Sequence, residues 1–153
     1  MIYRDDDVSI HTDICLFKEL HNKFIEKKQV HTVAVIMKNL WENQAIFYYL
    51  ATAPYLEIGL HGWTHADYSK KSYYECHRDL KKSLNYWKEN SIRMIGSAKE
   101  IKTFFAPWNK ESPEIRKSCR DLGLEFCNIK NGEWNGQEIK SFHWWSVGDN
   151  FKL

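Results

Sequence analysis

A chain of 153 residues can bury one core and is too short for a full eightfold β/α barrel, which takes about 250 residues. Apolar residues make up 43% and charged residues 27%, which excludes a disordered chain; no run of about 18 apolar residues is present, so no membrane span is expected. The net charge of +2 is spread over scattered lysines such as Lys70–Lys71 and Lys81–Lys82, which read as solvated helix faces, so no nucleic-acid partner is expected.

Residues 1–4 run into Asp5, Asp6 and Asp7 without an apolar leader, and the expected location is the cytoplasm. Residues 2–8 read as a strand ending in acids. A helix follows over 13–28, with Leu16, Leu20, Phe24 and Ile25 on one face. The β-branched stretch 30–37 reads as a buried strand and 42–51 as a helix stopped before Pro54. A third strand, 55–60, leads into His61-Gly62-Trp63-Thr64-His65. Residues 72–89 form a long helix with Leu80, Leu84 and Trp87 at helical spacing, and 91–100 is read as helix plus loop. A strand over 102–106 ends at Pro107. Pro113 in its first turn and Gly123 beyond its end bound a helix over 112–122. Strands at 125–129 and 138–144 flank a Gly- and Asn-containing turn at 131–137. Cys15, Cys76, Cys119 and Cys127 form no CxxC pair and are expected as free thiols.

About six strands alternating with helices imply parallel strands with crossover helices. The expected fold is α/β: a compact, distorted and incomplete β/α barrel in a single domain over 1–153, with an open doubly wound sheet as the alternative. In either fold the C-terminal strand ends share one rim, where sites are built. Asp6 and Asp7, His61 and His65, Pro107 and Trp108, and His143 all fall at such ends. An HxxxH pair alone is a weak metal signal; a carboxylate from another strand end strengthens it. Two imidazoles and one carboxylate leave coordination positions open and suit zinc, and also cobalt, nickel, manganese or iron. Of adjacent aspartates at a strand end, one can bind a divalent ion while its neighbour takes a proton from water. The chain holds seven tryptophans; Trp63, Trp108, Trp144 and Trp145 adjoin these residues and can stack on a sugar ring or simply pack.

The segments Arg4-Asp5-Asp6-Asp7-Val8, His61-Gly62-Trp63-Thr64-His65, Phe105-Ala106-Pro107-Trp108-Asn109 and Phe142-His143-Trp144 together resemble the motif order of the polysaccharide deacetylases of the NodB-homology type (carbohydrate esterase family 4-like). The resemblance implies an incomplete barrel and removal of N-acetyl groups from amino sugars, with an N-acetylated carbohydrate as substrate. It implies Asp6 as general base, Asp7, His61 and His65 as ligands of one divalent ion (zinc first), and His143 as the acid that protonates the leaving amine. Pro107 and Trp108 fall where the family has the proline and an aromatic of its third motif; with Trp63 and Trp144, which adjoin the ligands, they are the expected substrate-binding residues. The chain departs from the pattern at Phe105, where the family's third motif has arginine, and at Gly62, where a hydroxyl residue is usual. Arg4 is a substitute cation if its side chain points to the same side as Asp6. A carbohydrate-binding pseudoenzyme, and a hydrolase of another non-peptide C–N bond, are the rival readings.

Overall fold

In the computed structural model, which describes residues 1–148 and 151–153, strands and helices alternate along most of the chain. The order is β1 (Ile2–Val8), α1 (Ile14–Lys27), β2 (His31–Val35), α2 (Gln44–Thr52), β3 (Leu56–Leu60), α3 (Tyr73–Ile95), β4 (Thr103–Phe105), α4 (Pro113–Asp121), β5 (Glu125–Cys127), β6 (Gly132–Trp134) and β7 (Gln137–His143). The seven strands form one sheet in the order β5-β4-β3-β2-β1-β7-β6. All neighbours are parallel except β6 and β7. The two outer strands meet through one side chain: the Trp134 indole N–H donates to the Phe126 carbonyl at 3.2 Å. The sheet is therefore a nearly closed barrel, as expected from the sequence, with a seam between β5 and β6.

Strand count and several boundaries differ from expectation. Residues 131–137 are not only a turn: Gly132–Trp134 pairs antiparallel with β7, giving seven strands rather than six. Asn135 (φ 49°) and Gly136 (φ 79°) form its two-residue connection, the left-handed pair that closes a tight hairpin. Helix α3 continues through half of the ambiguous 91–100 segment and stops at Gly96, whose φ of 80° an L-residue adopts only with strain. It starts on a capping box, Ser72 and Glu75 satisfying each other's end of the first turn. Strand β2 is shorter than 30–37 and β5 shorter than 125–129.

Alternation along the strands creates two cores. Val33, Val35, Ile58, Leu60 and Phe104 join the main cluster with Phe17, Ile46, Leu50, Leu80 and Trp87 of the helices. Inside the barrel a smaller cluster holds Ala34, Phe105, Cys127 and Ile139. Gly59 makes room for it: a Cβ there would lie 2.4 Å from the Phe105 ring. Lys99 ties α2 to β3, its ammonium donating to the carbonyls of Leu50, Ala53 and Leu56 at 2.8–3.0 Å. Among the described residues, no helix is long and apolar enough to cross a membrane.

Candidate metal centre

Strand β1 delivers four consecutive polar side chains, and a local break in its regularity decides where each goes. Arg4 and Asp6 face inward and Asp5 faces the helices, as period-2 alternation requires. Asp7 would then point away from Asp6. Instead its register with β2 shifts between Asp5 and Val8, and Asp7 adopts φ 62°, a left-handed conformation that aspartate tolerates better than most residues. The turn brings its carboxylate to the histidines, so two adjacent aspartates serve one mouth of the barrel.

His61 ends β3 and is buried; His65 follows in a loop and is part-exposed. The segment between them is not helical. Gly62 sits at φ 95°, and a Cβ there would lie 2.4 Å from the Thr64 carbonyl, so the usual hydroxyl residue has no place at this position. Tyr68 braces the loop, its hydroxyl accepting from the Trp63 N–H at 3.1 Å and donating to Asp79 at 3.2 Å. Nε2 of His61 and Nε2 of His65 each lie 3.2 Å from Asp7 Oδ1. All three atoms fall within 4.8 Å of one another.

The donor set fits a divalent cation. His61 Nδ1 donates to the Phe105 carbonyl at 2.6 Å, so a neutral His61 turns its Nε2 lone pair toward Asp7. Asp7 Oδ1 is buried and makes no hydrogen bond among the described residues. Lone pairs facing each other repel unless a proton or a cation lies between them. Burial raises the Asp7 pKa, but the two imidazoles outweigh it and hold the carboxyl well below its usual range, so Asp7 is ionised.

Asp6 is held by Arg4. The guanidinium Nε donates to Asp6 Oδ1 at 2.7 Å and Nη2 to Oδ2 at 3.0 Å, a bidentate pair with Arg4 fully buried. Nη1 donates to Asn109 Oδ1 at 3.0 Å and to the Ile129 carbonyl at 2.7 Å. The Phe105 ring lies 5.0 Å from the guanidinium carbon. Arg4 thus points to the same side as Asp6, and Phe105 forms the wall against which it stacks. Asn109, a strand-end residue of the third motif to which no role falls from sequence alone, reaches Arg4 because Trp108 (φ 53°) and Asn109 (φ 56°) are both left-handed.

His143 pairs in register with Asp6 across β1 and β7. Its Nδ1 lies 3.6 Å from Asp7 Oδ2, is buried and makes no hydrogen bond among the described residues. Trp145 stacks on its ring at 4.4 Å, and Trp108 meets His65 edge-on at 4.2 Å. Both indoles are more than half exposed beside the cluster. Pro107 is buried behind Trp108. Two expected substrate residues go elsewhere. Trp63 packs on Tyr86 of α3 at 5.3 Å and under Lys82, away from the ligands. Trp144 donates to the Asp7 carbonyl at 3.4 Å and leans on the core, so it supports the ligand strand.

Behind the site runs a chain of buried groups that the sequence did not announce. His31 Nε2 lies 2.9 Å from Asp5 Oδ2, His31 Nδ1 lies 3.0 Å from His21 Nδ1, and His21 Nε2 lies 2.7 Å from the Pro54 carbonyl. The carbonyl only accepts, so His21 Nε2–H donates; His21 Nδ1 then accepts from His31 Nδ1–H, and a neutral His31 accepts from a protonated Asp5. Burial favours this neutral wire, raising Asp5 well above its usual range and lowering His21 to about 4 and His31 to about 3. Below pH 6.5 and down to about 4 the unfolded chain carries a proton on each of these imidazoles, which the fold keeps neutral, whereas burial of Asp5 works the other way by holding a proton that the unfolded carboxyl gives up more readily. The two imidazoles therefore lose stability as pH falls through this window, by about 1.4 kcal/mol per pH unit for each proton taken up on unfolding, and Asp5 offsets part of that loss. Urea unfolding at pH 6.5 and 4.5 tests this: His21→Gln should reduce the wild-type drop, and an unchanged drop would rule out the neutral wire.

Barrel, strand-end aspartates and paired histidines define a class, the β/α barrels with a histidine–aspartate cluster at the carboxyl rim. Within it, the chain belongs to the polysaccharide deacetylase family, whose model matches residues 9–127; Asp6, Asp7 and His143 lie outside that match. Solved structures of similar fold include a family 4 carbohydrate esterase pseudoenzyme from Bacillus anthracis (14% identity, TM-score 0.64, covering 81% of this chain and 42% of that one). Peptidoglycan deacetylase PdaC from Bacillus subtilis is similar at 12% identity and TM-score 0.64, over 86% of this chain and 58% of that one. A family 4 carbohydrate esterase from Streptomyces lividans, in complex with acetate, is similar at 12% identity and TM-score 0.69, over 95% and 79%. The chain spans about half the length of the first solved structures it matches, 42% to 56%. No curated protein matches it.

Proposed function

We propose that the chain is a metal-dependent N-deacetylase acting on an N-acetylated amino sugar or polysaccharide, with peptidoglycan-type glycans as first substrates to test. The reading rests above all on the convergence of Asp7 Oδ1 with the Nε2 atoms of His61 and His65 at 3.2 Å, beside an arginine-held Asp6. A divalent ion held by these three residues, zinc first, would supply Lewis acidity toward the acetyl carbonyl. Asp6 is oriented by Arg4 to take the proton of the attacking water. His143, on the neighbouring strand, gives a proton to the departing amine as the C–N bond breaks and acetate leaves. Trp108 and Trp145 offer exposed ring faces on which a sugar can stack.

Acetate release by the metal-loaded chain from N-acetylglucosamine oligomers and peptidoglycan is the direct test. Asp6→Asn should lower turnover about 10³-fold with metal content kept; loss of metal instead would reverse the roles of Asp6 and Asp7. His143→Ala should lower turnover about 10²-fold, also with metal kept, and metal loss there would make His143 a ligand. A metal-loaded wild type that releases no acetate from any of these substrates would instead favour the pseudoenzyme reading.

A further inference from the structure

The end of the barrel opposite the metal centre holds a cavity of about 430 Å³, walled by residues from all seven strands. Its inner wall is the Phe105 ring, whose surroundings also include Arg4, so one aromatic side chain partitions the two ends of the barrel. Around the mouth stand Glu57, Glu100 and Glu125, with Lys102 the one cation among the lining residues. None of the three carboxylates forms an ion pair among the described residues. Deeper in, Thr32 lies on the inner face of β2, is 6% exposed and lines the cavity. Its hydroxyl makes no hydrogen bond within the described chain; of the other buried hydroxyls, those of Thr12, Ser83 and Ser118 are bonded and that of Ser91, outside this cavity, is not. Trp134 lends the side wall; its N–H is spent on the Phe126 carbonyl, which leaves the ring to pack against an occupant.

A threonine hydroxyl without a partner in the described chain, an apolar floor and a mouth of three carboxylates against one lysine describe a ligand with an apolar body, hydroxyl or amine hydrogen-bonding groups and positive charge. The volume is within the range that houses a small organic molecule. Carboxylates at the rim attract and orient an ammonium, and an aromatic wall adds attraction to the same cation. We propose that this cavity is a second binding site, for a small organic ammonium compound: an amino sugar with a free amine, or an aliphatic polyamine. The site shares with the metal centre only the Phe105 partition and none of its three clustered side chains, and it does not depend on the deacetylase reading.

Amide correlation spectra of the full chain, titrated separately with glucosamine, spermidine, N-acetylglucosamine and magnesium chloride, test it. Saturable shifts at Thr32, Gly59 and the Trp134 indole are expected with one or both amines. The neutral N-acetyl sugar should leave these signals unmoved, and which amine acts identifies the source. Binding should weaken about tenfold or more in Glu57→Gln/Glu125→Gln, and persist unchanged in His65→Ala. Thr32→Val, nearly isosteric, should weaken it too, and serves if the double variant does not fold. Absence of saturable shifts at these residues, equal shifts from the neutral sugar or from magnesium, or insensitivity to both sets of variants would overturn the proposal.

Discussion

Arg4→Leu is expected to lower kcat for deacetylation about 10²- to 10³-fold while KM and metal affinity change little. Arg4 donates to both oxygens of Asp6 and touches none of the three clustered atoms of Asp7, His61 and His65, so its loss would strike the proposed base and spare the proposed ligands. Breaking a buried pair from one side also costs stability, about 3–5 kcal/mol, because the Asp6 carboxylate is left without its counter-charge. Arg4→Lys keeps the charge and loses the two-pronged geometry, and should fall between leucine and wild type in kcat. The decisive variant is the exchange Arg4→Leu/Phe105→Arg. The Phe105 ring packs against the guanidinium, so a guanidinium carried from β4 enters the same space from the other side. Partial recovery of kcat over Arg4→Leu, with a crystal structure showing the new guanidinium on Asp6, is the expected result. An exchange variant no better than Arg4→Leu, its new side chain turned elsewhere, would mean that the charge is not transferable and that Phe105 does mark an impaired site.

Metal removal should have the second large effect. Chelation is expected to abolish turnover, and readdition of zinc, cobalt or manganese to restore it in an order set by the ligands. An ion held by Asp7, His61 and His65 would bind only the folded chain, so saturation should raise stability, by about 4 kcal/mol at a free concentration 1,000 times Kd. Asp7→Asn is the control of choice: asparagine tolerates the left-handed backbone at this position, so the fold is kept while the anionic ligand is lost. Its metal affinity should drop at least about a hundredfold, and added zinc should no longer shift its unfolding midpoint. An Asp7→Asn chain that still gains stability from zinc as wild type does would refute the assignment of Asp7 as ligand.

The candidate centre was legible in the sequence because its residues sit at the ends of strands whose type and order the hydrophobic pattern announces. Parallel strands bring Asp7, His61 and His65 together without any closeness in sequence. What was not legible depends on facts finer than element type. Whether Arg4 joins Asp6 turns on the phase of the pleat, and whether Asp7 does so turns on a register break that no residue pattern marks. Trp63 lies within the motif yet packs away from it, because α3 offers Tyr86 and Lys82 as a better cover. His21 and His31 carry no signal in the sequence because they pair between α1 and β2 and close on the carbonyl of Pro54, a backbone atom invisible to any reading of side chains. The sixth strand was hidden by its own turn: Asn135-Gly136 marks a hairpin, but with only three residues on one side the strand has too little pattern to register.

The seam between β5 and β6 bears on how the molecule breathes. Elsewhere neighbouring strands are joined by backbone ladders, whereas these two three-residue strands meet through a single indole hydrogen bond. Opening there breaks no ladder and lets water reach the barrel interior long before β1, β2 and β3 part. Amides of residues 125–127 and 132–134 should therefore exchange with solvent earliest among the strands. Such an opening would loosen Arg4 through its bond to the Ile129 carbonyl, just beyond β5, so the slow clock of the barrel wall and the hold on Asp6, the proposed base, would share one hinge.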